Sequence, residues 1–108
     1  ALVRIGEMQL RAGNVPGAAH ALDKALAERP THLQGRALMA EVDMRRGDLA
    51  QAEQRARGII ASHPSLGLGH ALLGDVARLK GQTPVAIEAY RRAHHMERSS
   101  RSLLRLFD

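Results

Sequence analysis

Three glycines, Gly13, Gly47 and Gly81, stand 34 residues apart in a chain of 108 residues, and that spacing constrains the fold more than any other feature. Four further columns keep the same register: Ile5, Met39 and Leu73; Ala18, Ala52 and Ala86; Leu22, Ala56 and Tyr90; Ala25, Ile59 and Ala93. A fixed period of this kind marks stacked supersecondary units, none of which can bury its apolar face alone. Pro30 and Pro64 close the first two units, and Arg98 takes the third closing position.

Each column has a physical role. The recurring glycine falls where one helix must stop and reverse, because glycine enters the left-handed region without steric cost. Upstream of it, apolar and small residues recur at helical spacing: Leu2, Ile5, Gly6, Met8 and Leu10, then Leu38, Met39, Val42 and Met44, then Leu72, Leu73, Val76 and Leu79. Downstream come helix-start signals: Asn14 before Val15-Pro16, Asp48 before Leu49, and Thr83 before Pro84. Ala18, Ala52 and Ala86 let the second helix of a pair lie close to the first. The composition agrees: 44% of residues are hydrophobic, yet there is one Tyr, one Phe and no Trp, which suits closely packed helices rather than strands. The expected fold is all-α, with helix breaks near Gly13, Pro30, Gly47, Pro64 and Gly81 and a seventh helix from about Ser100.

The pattern of Gly6 or Gly74, Gly13-Asn14 or Gly47-Asp48, then Ala18, Leu22, Ala25 and Pro30 resembles the tetratricopeptide repeat (TPR) family. The resemblance covers the whole chain. It implies a right-handed superhelical solenoid of antiparallel helix pairs in one domain, with repeats at residues 1–32 (short at its start), 33–66 and 67–100, and the start of a further, capping helix at 101–108. There are departures from the family pattern. Leu2, Arg36 and His70 stand where a large aromatic is usual, and Met8, Asp43 and Ala77 stand near the usual mid-helix tyrosine, which bears on repeat stability. Leu103, Leu104 and Phe107 are expected to cover the third repeat, with Leu106 left over. The sequence opens without Met and in mid-helix pattern, so it reads as a piece of something longer.

Chemistry-bearing motifs are missing. Gly67-Leu68-Gly69 lacks the preceding strand, the further glycine and the acidic residue of a dinucleotide site, and reads as the loop and helix start between repeats two and three. No cysteine is present, which excludes disulfides, thiol chemistry and zinc ribbons. His94 and His95 are adjacent, so on a helix they point about 100° apart and cannot share an ion. His63 and His70 straddle a proline and a turn, and His20 and His32 fall on different helices. No cofactor or metal is expected. A shallow solenoid groove also offers no enclosure in which acid and base groups could converge, so an enzyme is not expected.

The family resemblance implies that first helices line a concave groove that takes a peptide segment of a partner protein. Carried position by position, the groove sites are Val3, Glu7, Leu10 and Arg11; Gln34, Ala37, Glu41, Met44 and Arg45; and Leu68, Ala71, Asp75, Arg78 and Leu79. Leu10, Met44, Ala71 and Leu79 would supply apolar contacts. Glu7, Glu41 and Asp75 form a ladder of carboxylates, each 34 residues from the next. Two readings of it stand. They are surface ion pairs, Glu7–Arg11, Glu41–Arg45 and Asp75–Arg78, or they select a ligand bearing apolar side chains and at least one basic group. Acid at these positions argues against the clamp that other members use for a C-terminal carboxylate.

The net charge is +5, with 16 basic and 11 acidic residues. The basic residues are dispersed and have no aromatic side chains interleaved for base stacking, which argues against a nucleic-acid partner. Lys24, Arg55, Arg57, Arg91 and Arg92 are expected on the convex side as a solvated surface. No run approaches the about 20 apolar residues of a membrane span. Gly81 to Ala93, with Ser99-Ser100 and Leu103 to Phe107, is similar to repeats of large bacterial TPR lipoproteins that accompany the PEP-CTERM/exosortase sorting system and exopolysaccharide production. That likeness implies a periplasmic or envelope location; without it the compartment stays open, the cytoplasm included. The functional expectation is a non-catalytic protein-protein interaction scaffold. The alternative is a structural spacer or self-association module, a homo-oligomer through exposed solenoid ends.

Overall fold

The computed structural model describes the backbone of residues 1–107 and the side chains of residues 1–98. Six helices follow one another: α1 (Leu2–Arg11), α2 (Val15–Glu28), α3 (Leu33–Arg45), α4 (Leu49–Ser62), α5 (Leu68–Leu79) and α6 (Thr83–Phe107). Among the described residues there is no strand.

Three of the five joints are the same motif. Gly13, Gly47 and Gly81 have φ of 83°, 79° and 78°. In each, the residue after the glycine donates its N–H five residues back: Asn14 to Gln9 O, Asp48 to Asp43 O, Gln82 to Ala77 O, at 2.8–2.9 Å. This is the Schellman arrangement, which satisfies the last carbonyls of a helix at the cost of one left-handed residue. The next helix is then capped at once. Asn14 Oδ1 accepts from the Gly17 N–H at 3.1 Å and Asp48 Oδ1 from the Gln51 N–H at 3.3 Å. At the third joint the helix starts on Thr83 itself, one residue earlier than the sequence suggests. A Cβ on Gly47 would meet nothing within 4 Å, so the position needs glycine for its dihedral and not for room. Gly47→Val is therefore expected to cost about 1–2 kcal/mol through backbone strain alone. Gly47→Ala should cost nearly as much, and urea midpoints of the two variants check this.

The other two joints are made by proline. Arg29 and His63, each just before a proline, leave the helix with φ of −135° and −134°, as the proline ring requires of its predecessor. Arg98 exerts no such constraint. Accordingly α6 runs unbroken through Ser99 and Ser100, and the separate seventh helix expected from about Ser100 is instead a continuation of the sixth. The expected covering of the third unit by Leu103, Leu104 and Phe107 lies outside the residues whose side chains are described.

Within each pair, a small residue on the first helix receives a side chain from the second. A Cβ on Gly6 would lie 2.7 Å from Leu22 Cγ, and one on Gly74 would lie 2.6 Å from the Tyr90 ring. In the middle pair Ala40 carries that Cβ, and the residue opposite shrinks to Ala56, both of them fully buried in one cluster. The core is thus two linked clusters rather than one centre. The first gathers Leu10, Ala18, Ala19, Leu22, Met39 and Val42, and the second Ala40, Ala56, Ile59 and Leu72. Gly67 and Gly69 have packing roles too, since their Cβ atoms would strike the Ala93 carbonyl oxygen and Ile60. Gly67, just before α5, and Gly69, in its first turn, therefore let α5 start close against α6 and α4 respectively.

One charged pair enters this apolar interior. Asp43 on α3 is buried, and Arg55 on α4 reaches it with Nε 2.5 Å from Oδ2. Arg55 was expected among the outward-facing basic residues of the second helices. It turns inward because Asp43 occupies a position where the third pair has a buried alanine, Ala77, and a buried carboxylate requires a partner. Lys24, Arg57, Arg91 and Arg92 are exposed as expected.

Candidate functional site

The packing of helices decides which face is inner. First helices touch one another, α1 with α3 and α3 with α5, whereas among the described residues α2, α4 and α6 make no such contacts with each other. A stack whose first helices converge while its second helices splay is curved, with α1, α3 and α5 on the closed side.

On that side Glu41, Met44 and Arg45 from α3 face Leu72, Asp75, Arg78 and Leu79 from α5 across a hollow of about 400 Å³. Six of the fourteen side chains assigned from the sequence thus share one cavity. Leu72 belongs to it as well and was missed, its position having read as core. Glu7 and Gln34 line a second hollow of about 810 Å³ with Val3, Ile5, Met8 and His32 among its walls. Arg11 is exposed and lines neither hollow, but pairs with Glu7 at 2.9 Å.

Two assignments change. Leu10 is buried in the first core cluster against Ala18, Leu22 and Met39, so it offers no surface to a ligand. It lies one residue before the end of α1, on the stripe that α2 covers. Ala71 is half-buried and lines neither hollow. Ala37 and Leu68 pack against the second cluster, as does the half-buried body of Met44.

The carboxylate ladder is largely engaged within the protein. Glu7 accepts from Arg11 and, on its other oxygen, from Gln34 Nε2 at 2.8 Å, which ties α1 to α3. Glu41 pairs with Arg45 at 3.4 Å, and the same guanidinium donates to the Leu10 carbonyl at 2.8 Å. Arg45 is therefore a clip between the first two pairs. Asp75 departs from expectation: its partner is the Tyr90 hydroxyl, which donates to Oδ1 at 2.5 Å, and no Asp75–Arg78 salt bridge forms. The reason is Gly74, which lets the Tyr90 ring lie over α5 and brings its hydroxyl to the next residue. Burial, and then the bond to Asp75, push the Tyr90 pKa up. The Tyr90 oxygen in turn raises the pKa of Arg78, with a smaller contribution from Asp75. Arg78 is exposed and has no salt bridge among the described residues. The column Leu22, Ala56, Tyr90 set against Gly6, Ala40, Gly74 carried the signal for this contact.

A further tie joins α4 to α5, where Lys80 Nζ lies 3.1 Å from Glu53 Oε1. The hydrogen bond from Lys80 is the main cause holding the Glu53 carboxyl below its ordinary value. His32 caps α3, its Nδ1 accepting from the Gly35 N–H at 3.0 Å. Among the described residues no three His, Asp or Glu side chains are placed to hold a metal ion, and no described helix is long and apolar enough to cross a membrane.

Antiparallel helix pairs in a 34-residue register, with first helices forming an inner face, define a helical-repeat protein. A family model described as tetratricopeptide repeat matches residues 9–76, more than half of the chain, and the chain belongs to that family. Tetratricopeptide repeats generally mediate protein–protein interactions, and the family is generally a non-catalytic scaffold. Comparison with curated proteins gives no match.

Proposed function

We propose that this protein is a non-catalytic scaffold that binds a peptide segment of a partner protein in the hollow between α3 and α5. The supporting observation is the make-up of that hollow. Met44, Leu72 and Leu79 form an apolar floor, Leu79 remains nearly half exposed at 46%, and an arginine without a carboxylate partner stands beside it. An apolar side chain of the ligand would cover Leu79 and gain roughly 25 cal/mol for each Å² of apolar surface removed from water. Because Glu7, Glu41 and Asp75 already have partners, the polar complement falls to Arg78, which favours an acidic residue or a carbonyl next to that apolar side chain. This reverses the basic ligand expected from the carboxylate ladder alone. The three helix pairs, in residues 1–32, 33–66 and 67–100, act in this reading as one solenoid domain. A place in bacterial envelope protein sorting or exopolysaccharide export rests on the likeness of Gly81–Ala93 to the lipoprotein repeats.

The test is selection from a random peptide display library on the immobilised protein, followed by titration of the enriched peptides. Arg78→Ala/Leu79→Ser is expected to weaken them at least about tenfold, or about 1.4 kcal/mol, with an unchanged circular dichroism spectrum. Replacing Glu7, Glu41 and Asp75 together by Gln should matter less. Peptides that bind the Arg78→Ala/Leu79→Ser variant as tightly as the parent would overturn the assignment.

A further inference from the structure

Each first helix carries one acid in the same column, Glu7, Glu41 and Asp75, and the three are not met alike. Glu7 and Glu41 pair with the arginine four residues on, at 2.9 and 3.4 Å. On α5 that fourth position is Leu79, and the arginine, Arg78, stands three residues on. An i,i+3 partner is still within reach of a carboxylate on a helix, yet Asp75 accepts from the Tyr90 hydroxyl of α6 instead. Tyr90 shares its column with Leu22 and Ala56, neither of which has a polar group to offer. Of the three described pairs, only the third meets this acid from its second helix.

The consequence reaches the hollow between α3 and α5, which Asp75 and Arg78 both line beside Leu79. Held at Oδ1 by Tyr90, Asp75 forms no ion pair with Arg78, whose side chain stays exposed. Tyr90 reaches Arg78 as well, and its oxygen is the main cause raising the pKa of that arginine, ahead of Asp75. One phenol thus stands between the two charges, donating to the acid and accepting from the base. A single neutral oxygen occupies little of the five N–H donors of a guanidinium, so Arg78 keeps its charge and its fork for a carboxylate. Gly74 places the ring, since a Cβ there would come within 2.6 Å of Tyr90 Cε1.

We propose that Tyr90 sets the ligand class of this hollow: by holding Asp75 it keeps Arg78 open to a carboxylate. The hollow then takes an apolar side chain with Asp or Glu beside it in preference to the same segment with Asn or Gln. This rests on the peptide-binding reading above and narrows it, from an acidic residue or a carbonyl to a carboxylate. Tyr90 acts through the two charges and is a positioning residue, not a contact. Every interaction involved lies within the third helix pair or between α3 and α5. Without the hydroxyl, Asp75 turns to Arg78 as Glu7 and Glu41 turn to their arginines. An incoming acid then meets a neutralised base.

The test takes peptides enriched on the parent protein and makes each in two forms, with its acidic residue and with the corresponding amide. The parent should prefer the acid form about fivefold, the upper range for an exposed ion pair. Tyr90→Phe keeps the ring on Gly74 and removes only the hydroxyl. Its preference should drop to about twofold or less, because an i,i+3 pair within the protein now competes for Arg78. Asp75→Asn/Tyr90→Phe has no acid to compete and should restore the preference of the parent. A merely structural effect would weaken both forms alike and leave their ratio unchanged. A second arm needs no ligand. Tyr90 is the one tyrosine of a chain without Trp, so ultraviolet absorbance reads its ionisation directly. It should titrate above an ordinary phenol, Asp75→Asn should bring it down, and Arg78→Ala should raise it further. Enriched peptides without an acidic residue, a preference that survives in Tyr90→Phe, or a phenol indifferent to both substitutions would each overturn the inference and leave the peptide-binding reading in place. Peptides indifferent to Arg78→Ala/Leu79→Ser would overturn that reading, and this inference with it.

Discussion

Arg55→Ala is expected to destabilise the protein by about 3 kcal/mol, at the low end of what breaking a buried ion pair costs. The reason is asymmetric burial. Asp43 has 6% of its side chain exposed and Arg55 has 29%. Removing the arginine leaves a largely buried carboxylate between α3 and α4 without its ion-pair partner. Removing the aspartate leaves an arginine whose long side chain can turn to solvent, so Asp43→Ala should cost about 1 kcal/mol or less. The double substitution Asp43→Ala/Arg55→Ala should recover most of the loss, because a buried pair is often no more stable than apolar residues in its place. The molecule contains that replacement already: the equivalent positions of the third pair are Ala77 and Ala89, both buried. Urea midpoints of the three variants decide the matter, and equal losses for the two single substitutions would show that the pair is not what holds Asp43 inside.

This pair also marks where the sequence stopped being legible. The periodic features are set by backbone geometry, and geometry repeats: Gly13, Gly47 and Gly81 take the same left-handed turn, and the residue before each proline leaves its helix. What breaks the period has to be read in three dimensions. Arg55 looked like one more outward charge until Asp43 was placed opposite it. Tyr90 looked like a core filler in the column of Leu22 and Ala56, but an aromatic ring with a hydroxyl reaches one residue further, to Asp75. Leu10 fell in a groove column yet lies buried, because the end of α1 rolls its apolar stripe towards α2. The α3–α5 hollow was legible as a set of positions, since i and i+4 spacing fixes which side chains share a helix face. Which of the inner-face charges stay available was not, because Gln34 reaches Glu7 from another helix, Arg45 also reaches across to the Leu10 carbonyl, and Tyr90 reaches Asp75.

Gly6→Ala is expected to change sign with the identity of its neighbour. Leu22 is fully buried, and its Cγ and Cδ2 lie 2.7 and 2.8 Å from where the new methyl group would stand. The clash is at the branch point of the side chain, which cannot swing away inside a filled cluster, so the substitution should cost about 1–3 kcal/mol through overpacking. Leu22→Ala alone should cost about 2–4 kcal/mol, for the lost burial and the cavity left behind. In the Leu22→Ala protein the space beside Gly6 is open, and Gly6→Ala should then stabilise. It fills part of the cavity, and alanine is a better helix former than glycine by about 1 kcal/mol in a helix interior. The middle pair shows that the outcome packs, since Ala40 and Ala56 hold these positions without exposure. The double-mutant cycle should therefore give a coupling energy of about 2 kcal/mol, well above what independent sites show. Additive losses would mean that the matched sizes of Gly6 with Leu22, Ala40 with Ala56 and Gly74 with Tyr90 are incidental, and that helix spacing in each pair is set elsewhere.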